Sequence, residues 1–296
     1  MLSLFKKEVD QKVGVLEKKN DILHYCLMLG VIMVVGGLLQ GVLAIPMTVL
    51  LMLFGLEYND SIIMLMSLYL TTVVSIITIV YAVKFDKRSL YSLGLTKKNI
   101  VKRYLLGLFI GFVTLTGSLV ITGLLGGVDF KGISNIIDPL SLFLFFIGFM
   151  LQGFEEEVMC RGFMMYGLSK KRSIFFSMMF NSIYFAVLHL GNPGINVLSM
   201  MNLVLAGFSF SCMAVYFDDL WVASGAHTMW NYCQGNIYGI LVSGMSMGPT
   251  IFRFDLVGNS LISGGEFGLE GGIGVFIIEL LTIFVFCYLY KKRVRV

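Results

Sequence analysis

Apolar segments long enough to cross a lipid bilayer recur along the whole chain, and they constrain its fold more than any other feature. A helix needs about 20 predominantly apolar residues to span the hydrocarbon core of a bilayer. Eight such segments are present, at residues 22–55, 61–83, 104–125, 138–168, 174–190, 197–216, 220–243 and 271–290. The sequence therefore predicts an all-α fold, a polytopic membrane bundle of about eight transmembrane helices.

The composition excludes a water-soluble protein. Hydrophobic residues make up 57% of the 296 residues and charged residues 14%, and the mean hydropathy is +0.86. An average soluble domain has about 25% charged residues, and a soluble fold of this length could not bury so much apolar surface. The predicted environment is the lipid bilayer. No basic patch interleaved with aromatic residues indicates a nucleic-acid partner.

The positive charges indicate how the bundle is oriented. Of the 22 Lys and Arg residues, five precede the first segment, seven lie between segments two and three, three follow segment four and four follow segment eight. Only Lys131 and Arg253 fall in loops on the other side, and Arg161 lies within a segment. Lys and Arg collect in cytoplasmic loops. This distribution therefore predicts an even number of spans with both termini in the cytoplasm.

The regions outside the spans are short. Residues 1–21 are predicted to form a cytoplasmic amphipathic segment on the inner membrane surface, and residues 22–296 the transmembrane bundle. Residues 244–270 form a Gly-rich outer loop that either caps the bundle or is mobile. The five cysteines lie in apolar stretches without a CxxC pair, so no disulfide framework is expected. The N-terminal segment is predicted from apolar residues at helical spacing, namely Leu2, Phe5, Val9, Val13 and Leu16.

Polar side chains inside the predicted spans are the candidates for function. An ionisable group in hydrocarbon costs at least about 2–3 kcal/mol unless it is paired or hydrated. Three segments carry such groups together with amide side chains. The most informative residues are Gln152, Glu155, Glu156, Glu157 and Arg161 in segment four, His189 in segment five, and His227 and Asn231 in segment seven.

Helix geometry distinguishes the three consecutive glutamates. Glu157 and Arg161 are four residues apart, so they share a face and are predicted to form an ion pair. Glu156 is turned by about 100° and lacks this partner, which makes its carboxyl the candidate for chemistry. Glu155 is turned the other way, and it either faces the mouth of a cavity, is protonated or bonds another helix. Glu279 in segment eight has no motif around it, so a packing or hydrated role is predicted.

Two mechanisms of peptide hydrolysis fit these residues. A carboxylate and an imidazole can hold and activate one water, while a second histidine and an amide stabilise the oxyanion. Glu156 with His189, and His227 with Asn231, supply those parts. Alternatively, Glu156, His189 and His227 hold zinc, although the usual HExxH spacing is absent. Polar residues in bundles also hold helices together, and these alternatives stay open.

Three short motifs match a known family. Glu156-Glu157-Val-Met-Cys-Arg161 fits EExxxR, Phe185-Ala-Val-Leu-His189 fits FxxxH, and His227-Thr-Met-Trp-Asn231 fits HxxxN. They occur in the family's order, each on a hydrophobic segment. Over residues 100–235 the chain resembles the CAAX prenyl protease and bacteriocin-processing family of membrane peptidases, also called the CPBP or Abi family.

The resemblance implies a helical bundle that encloses a cavity and hydrolyses peptides. It implies that Glu156 and His189 activate the water, that the HxxxN motif holds the oxyanion, and that the pair Glu157 and Arg161 supports them. In eukaryotes such enzymes remove the last three residues of prenylated proteins, and bacterial relatives are linked to bacteriocin immunity and peptide maturation. Both a zinc mechanism and a metal-free mechanism are compatible with the resemblance.

The expected function is therefore that of an intramembrane endopeptidase acting on a hydrophobic peptide or a membrane-anchored protein. Two other functions stay open, a non-enzymatic immunity or scaffold protein and a small ion-coupled transporter that uses the same buried charges. The compact chain without a retention signal favours a bacterial plasma membrane. The sequence does not specify the substrate, the cofactor or the oligomeric state.

Overall fold

The computed structural model describes residues 21–55 and 59–295. The predicted amphipathic helix at residues 2–16 lies outside this range. Within the range, eight long helices coincide closely with the eight apolar segments of the sequence. We number them α1 to α8. Their α-helical parts span Asp21–Leu53, Asp60–Lys84, Ile100–Leu124, Pro139–Glu157, Ile174–Leu188, Val197–Phe217, Trp221–Tyr232 and Ile273–Arg295.

Five of these helices, α1, α2, α3, α6 and α8, are long and apolar enough to cross a membrane. The protein is therefore an integral membrane protein built as a helical bundle. Of the other three, α5 and α7 are shorter, and α4 carries three consecutive glutamates, Glu155, Glu156 and Glu157. The number of eight spans stays a prediction.

Helices α4 and α7 both change their winding. After Glu157, α4 continues as a π-helix at Val158–Met165 and ends with the turn Tyr166–Leu168. Helix α7 continues as a π-helix at Cys233–Ile237 and then turns back, several residues before the predicted end at residue 243. π-Helical turns are rare and are often found at functional sites.

Capping side chains define where several helices start. The Asp138 carboxylate accepts hydrogen bonds from backbone N–H groups in the first turn of α4, whose first residue is Pro139. The side chains of Ser173 and Asn196 cap α5 and α6 in the same way. Each cap satisfies backbone donors that have no partner within the helix, so the starts of α4, α5 and α6 are fixed by local sequence.

A small antiparallel sheet joins two loops at one end of the bundle. It pairs β1 (Val128–Ile133) with β2 (Phe252–Leu256), and the rings of Phe130 and Phe254 lie 4.9 Å apart across the pair. The predicted all-α class was incomplete, since it omitted this sheet. Both strands are short and they are far apart in the chain, so no local pattern indicated their pairing.

The loops predicted to be cytoplasmic meet at the opposite end of the bundle. The backbone N–H of Leu220, between α6 and α7, donates to the carbonyl of Gly94, between α2 and α3, at 3.1 Å. Ionisable side chains link the same loops and helix ends. The contacts are Arg172 with Asp21, His24 with Asp86, Arg103 with Asp219, and Arg293 with Asp218.

Small residues hold α7 close to its two neighbours. A Cβ atom at Gly111 of α3 would lie 2.2 Å from the carbonyl oxygen of Ala226, which is far inside van der Waals contact. A Cβ atom at Gly153 of α4 would lie 3.0 Å from the backbone nitrogen of Thr228. These contacts flank His227, so the close packing fixes the backbone of α7 at this residue against α3 and α4.

The outer loop folds onto the bundle. Glu270 accepts hydrogen bonds from the backbone N–H and the hydroxyl of Ser243, at 2.7 and 2.8 Å, and from the indole N–H of Trp230, at 3.2 Å. Its backbone carbonyl accepts from the Asn202 amide of α6 at 2.7 Å. Of the two alternatives for residues 244–270, the structure shows the cap.

Candidate active site

A cavity of about 400 Å3 lies inside the bundle. Its walls come from α1, α2, the helices α4 to α7, and the capping loop. The four residues predicted to be catalytic, Glu156, His189, His227 and Asn231, all line it. The structure therefore brings to one cavity four side chains that come from three separate helices.

A buried ion pair on α4 supports this wall of the cavity. Arg161 Nη1 donates to Glu157 Oε1 at 2.9 Å, as the spacing of four residues predicted, and both side chains are fully buried. Arg161 Nη2 donates to the Gly207 carbonyl of α6 at 2.8 Å. The guanidinium also lies over the rings of Phe185 and Phe210, 4.7 and 5.4 Å from their centroids. These contacts compensate for placing a cation in the bundle.

Glu157 also orients the histidine of the third motif. His227 Nδ1 lies 3.0 Å from Glu157 Oε1, and because a carboxylate only accepts, Nδ1 carries the proton of this bond. The imidazole stacks on Phe210, with centroids 4.8 Å apart and planes inclined by 11°. The ring is thus fixed on two sides, and its other nitrogen, Nε2, faces Glu156 at 3.6 Å from Oε2.

Glu156 is the less constrained of the two motif glutamates. Its Oε1 accepts a hydrogen bond from the Gln152 amide, four residues earlier on the same face. Its Oε2 has no hydrogen-bond partner among the described residues. The 3.6 Å separation from His227 Nε2 is too long for a hydrogen bond. A buried carboxylate oxygen without a hydrogen bond therefore lies beside an imidazole nitrogen in the wall of the cavity.

His189 and Asn231 approach the same space from α5 and α7. His189 is the C-cap of α5, as its place at the end of segment five predicted, and its Nδ1 donates to the Phe185 carbonyl at 2.8 Å. In the neutral ring this bond leaves Nε2 as the acceptor. Asn231 Nδ2 donates to Gln152 Oε1 at 3.0 Å. The predicted partnership of Glu156 with His189 through a shared water stays a prediction.

A comparison with known protein families gives a match for the part of the chain that carries the three motifs. Residues 138–233 match the family described as Rce1-like, type II CAAX prenyl endopeptidase. This part of the chain is therefore similar to the CAAX prenyl protease family. The matched range runs from the N-cap of α4 to Cys233 of α7, so it contains all three motifs, and the family predicted from them is confirmed. No curated protein and no solved structure matches the chain.

A second arginine supports the π-helical part of α4. Arg88, in the loop after α2, is buried, and it donates to the carbonyls of Phe163 and Gly162 at 2.7 Å each. It also donates to the Ser92 carbonyl at 2.8 Å. The EExxxR motif is thus anchored from the predicted cytoplasmic side by a residue outside the matched family range.

The role of Gln152 was missed by sequence reasoning, which noted it only as a polar residue. Its amide bridges Glu156 and Asn231, so it links the first and third motifs. One signal was available, because Gln152 lies four residues before Glu156 and therefore shares its helix face. The identity of its partner on α7 could not be read from the sequence.

The other polar residues singled out in the sequence have separate positions. Glu155 is 6% exposed and lines the cavity. Glu279 does not line the cavity, and its carboxylate accepts from the Ser209 hydroxyl, which agrees with a packing role. Cys160 is buried within the first motif and also lines the cavity.

The alternative zinc site finds little support in the side-chain geometry. Within residues 21–55 and 59–295, no three His, Cys, Asp or Glu side chains come together in a way that could hold a metal ion. Both histidines of the cavity use Nδ1 for protein partners. Zinc and a metal-free mechanism both stay open for experiment, and the side chains themselves offer the chemistry described next.

Proposed function

We propose that this protein is an intramembrane endopeptidase that hydrolyses a peptide bond of a hydrophobic or membrane-anchored substrate with a water activated by Glu156. One observation supports the proposal most. The unpaired Oε2 of Glu156 lies 3.6 Å from His227 Nε2 in a cavity that His189 and Asn231 also line. Similarity to the CAAX protease family supports the same reaction class.

Glu156 is the proposed general base. A water bound at its Oε2 lies inside the cavity, and His189 Nε2, as an acceptor in the neutral ring, orients the second proton of that water. Glu156 takes one proton as the water oxygen attacks the peptide carbonyl, and it gives the proton to the leaving amine. Gln152 keeps Oε1 occupied, so the attacking water is directed to Oε2.

His227 and Asn231 are the proposed donors to the oxyanion. With Nδ1–H bonded to the Glu157 carboxylate, a protonated His227 presents Nε2–H to the cavity. The Asn231 amide binds Gln152 through one N–H, and its second N–H is available for the developing negative charge. Donors that are fixed before the reaction stabilise the transition state because they need not reorganise.

The proposed membrane arrangement has eight spans with both termini in the cytoplasm. The charged loops meet at one end of the bundle, and the sheet and the capping loop lie at the other. Residues 100–235 form the proposed peptidase core, within a transmembrane bundle of residues 22–296. The bacterial plasma membrane is the proposed location.

The test is peptide cleavage by the purified protein in lipid nanodiscs, offered a library of membrane-anchored peptides. General-base catalysis contributes about 100- to 10,000-fold, so Glu156→Gln is expected to lose at least a hundredfold in cleavage rate. His189→Ala is expected to lose activity as well. Glu279→Gln is the matched control, because Glu279 is a buried helix glutamate that lies outside the cavity.

Each outcome separates the candidate functions. Cleavage by wild type and Glu279→Gln, lost in Glu156→Gln, supports the peptidase, and a zinc chelator added to wild type then tests the metal requirement. Equal cleavage by Glu156→Gln and wild type would contradict the mechanism. No cleavage, with a partner retained in pull-downs by both forms, would favour the scaffold, and ion flux along a gradient would favour the transporter.

A further inference from the structure

The described part of the cavity wall contains acidic side chains and no Lys or Arg. Three of its lining residues are glutamates, Glu155, Glu156 and Glu270, and none of the described lining residues is Lys or Arg. Arg161 lies directly behind the wall, but its guanidinium binds Glu157 and the Gly207 carbonyl. The space that would receive a substrate therefore carries uncompensated negative groups.

Two of the three glutamates have partners. Glu270 accepts from the backbone and hydroxyl of Ser243 and from the Trp230 indole. Glu156 accepts from Gln152 and faces the His227 imidazole. Both carboxylates can thus be negatively charged without a group from the substrate.

Glu155 is the exception. Its side chain is 6% exposed, and within residues 21–55 and 59–295 it makes no hydrogen bond and no ion pair. Counting the charges around the three consecutive glutamates also identifies Glu155 as the one without a partner. Arg161 balances Glu157, and a protonated His227 balances Glu156, which leaves Glu155 without a counter-ion. A buried carboxyl without a partner carries a large desolvation cost.

A positive group on the substrate would remove this cost. A Lys or Arg side chain that enters the cavity could pair with Glu155, which is adjacent in sequence to the proposed general base Glu156. A free C-terminal carboxylate would instead meet the same glutamates and find no Lys or Arg among the described lining residues. Apolar side chains form much of the rest of the wall, with Met33, Met64 and other methionines.

We infer that the cavity selects peptides that carry a Lys or Arg side chain close to the scissile bond, and that Glu155 is the residue that pairs with it. This inference rests on the proposed peptidase function. The substrate class is a membrane-anchored peptide with apolar flanks and one cationic residue, cut at an internal bond.

The test compares matched peptides in nanodiscs. Each is a membrane-anchored, Leu-rich peptide in which one position at a time is Lys or Gln, with its C-terminus amidated. Wild type is expected to show a kcat/KM at least tenfold higher for the best Lys peptide than for its Gln partner. In Glu155→Gln this preference is expected to fall to less than threefold, and Glu279→Gln is expected to keep it.

The outcomes are distinct from those of the peptidase test. If wild type cleaves the Lys and Gln peptides equally, or if Glu155→Gln keeps the preference, the inference is wrong while the peptidase proposal stands. Glu155→Gln preserves volume and breaks no bond, and a circular-dichroism melt confirms that it is folded.

Binding provides a readout that does not depend on turnover. Trp230 lines the cavity, so its fluorescence reports peptide binding in the Glu156→Gln background. The Lys peptide is expected to bind more tightly than the Gln peptide, and Glu155→Gln is expected to remove the difference. Equal binding of both peptides with Glu155 intact would overturn the inference even if no peptide is cleaved.

Discussion

At the scale of single residues, two side chains depend on Glu157 as their hydrogen-bond acceptor. Its Oε1 accepts from Arg161 of its own helix and from His227 of α7, at 2.9 and 3.0 Å. Neither donor has another acidic partner at this distance among the described residues. One carboxylate therefore compensates a buried guanidinium and fixes the imidazole that faces Glu156.

Glu157→Gln is expected to lower stability and turnover together. Removing one partner of a buried ion pair costs about 3–5 kcal/mol, so the midpoint of thermal unfolding in detergent should fall clearly. In the fraction that stays folded, kcat should fall at least tenfold while KM changes less than threefold, because His227 loses its orientation and not a substrate contact. Wild-type kcat in the variant would contradict the positioning role of Glu157.

Lys170 provides a pH-dependent test at the predicted cytoplasmic end. Burial, helped by the nearby Arg88 cation, lowers the pKa of Lys170 to about 8. The folded state therefore disfavours the protonated amine, and this penalty is complete below pH 8 and is lost as the pH rises from 8 to the unfolded pKa of about 10.4. Lys170→Met should thus be more stable than wild type at pH 7.

The measurement is the midpoint of thermal unfolding at pH 7 and at pH 9.5. The advantage of Lys170→Met should shrink at the higher pH. Lys97→Met is the control, since Lys97 is exposed in a loop at the same end. An advantage of Lys170→Met that does not change with pH would show that packing, and not charge, is responsible.

Contacts within one helix could be predicted from the sequence, whereas contacts between helices could not. The Glu157 and Arg161 pair follows from a spacing of four residues, and the structure confirms it. The contact of His227 with Glu157 depends on the rotation of α7 against α4. Sequence spacing carries no information on that rotation, so the motifs alone did not show which histidine faces Glu156.

At the scale of elements, the position of α7 depends on glycines. Gly111 of α3 leaves room for the Ala226 carbonyl, one residue before His227. The backbone carbonyl of Ala226 cannot move aside as a flexible side chain can. A methyl group added at Gly111 would therefore push α3 and α7 apart. The rotation and depth of the imidazole are therefore set partly by a glycine on another helix.

Gly111→Ala is expected to destabilise the protein by about 1–3 kcal/mol, the usual cost of overpacking. Gly123→Ala is the matched control, because it lies on the same helix with nothing within 4 Å of the added Cβ. Since alanine favours helix over glycine by up to about 1 kcal/mol, the control should be neutral or slightly stabilised. The measurement is the midpoint of thermal unfolding of both variants. Equal midpoints for Gly111→Ala and Gly123→Ala would show that α3 and α7 can separate without cost.

The helices themselves were well predicted, and the other elements were not. Apolar length and capping residues such as Asp138 are local features, and the starts of α4 and α5 follow them. The pairing of β1 with β2 and the π-helical turns after Glu157 depend on tertiary packing. Periodicity at helical spacing cannot distinguish a π-helix of a few turns from an α-helix.

At the scale of the whole molecule, the two ends of the bundle differ in chemistry. One end collects the predicted cytoplasmic loops, joined by contacts such as Arg103 with Asp219. The other end carries the sheet, where Lys131 contacts Asp129 and Asp255. This polarity agrees with the positive-inside rule and gives the topology a direct test.

Single cysteines introduced in the two sets of loops should label from opposite sides. Lys98→Cys and Asn135→Cys are both at exposed positions. With a membrane-impermeant maleimide, Asn135→Cys should react in intact cells, and Lys98→Cys only after the membrane is opened. The wild-type chain serves as the blank, since its five cysteines lie in apolar stretches. Reaction of Lys98→Cys in intact cells would reverse the proposed orientation.

The capping loop has a consequence for inhibition of this protein. Val242, Met245 and Met247 form part of the cavity wall at the sheet end, and Glu270 holds the loop in place. A water-soluble compound added outside the cell would meet this wall first. An effective inhibitor should therefore dissolve in the lipid before it binds, and its potency should follow its concentration in the membrane and not its concentration in the medium.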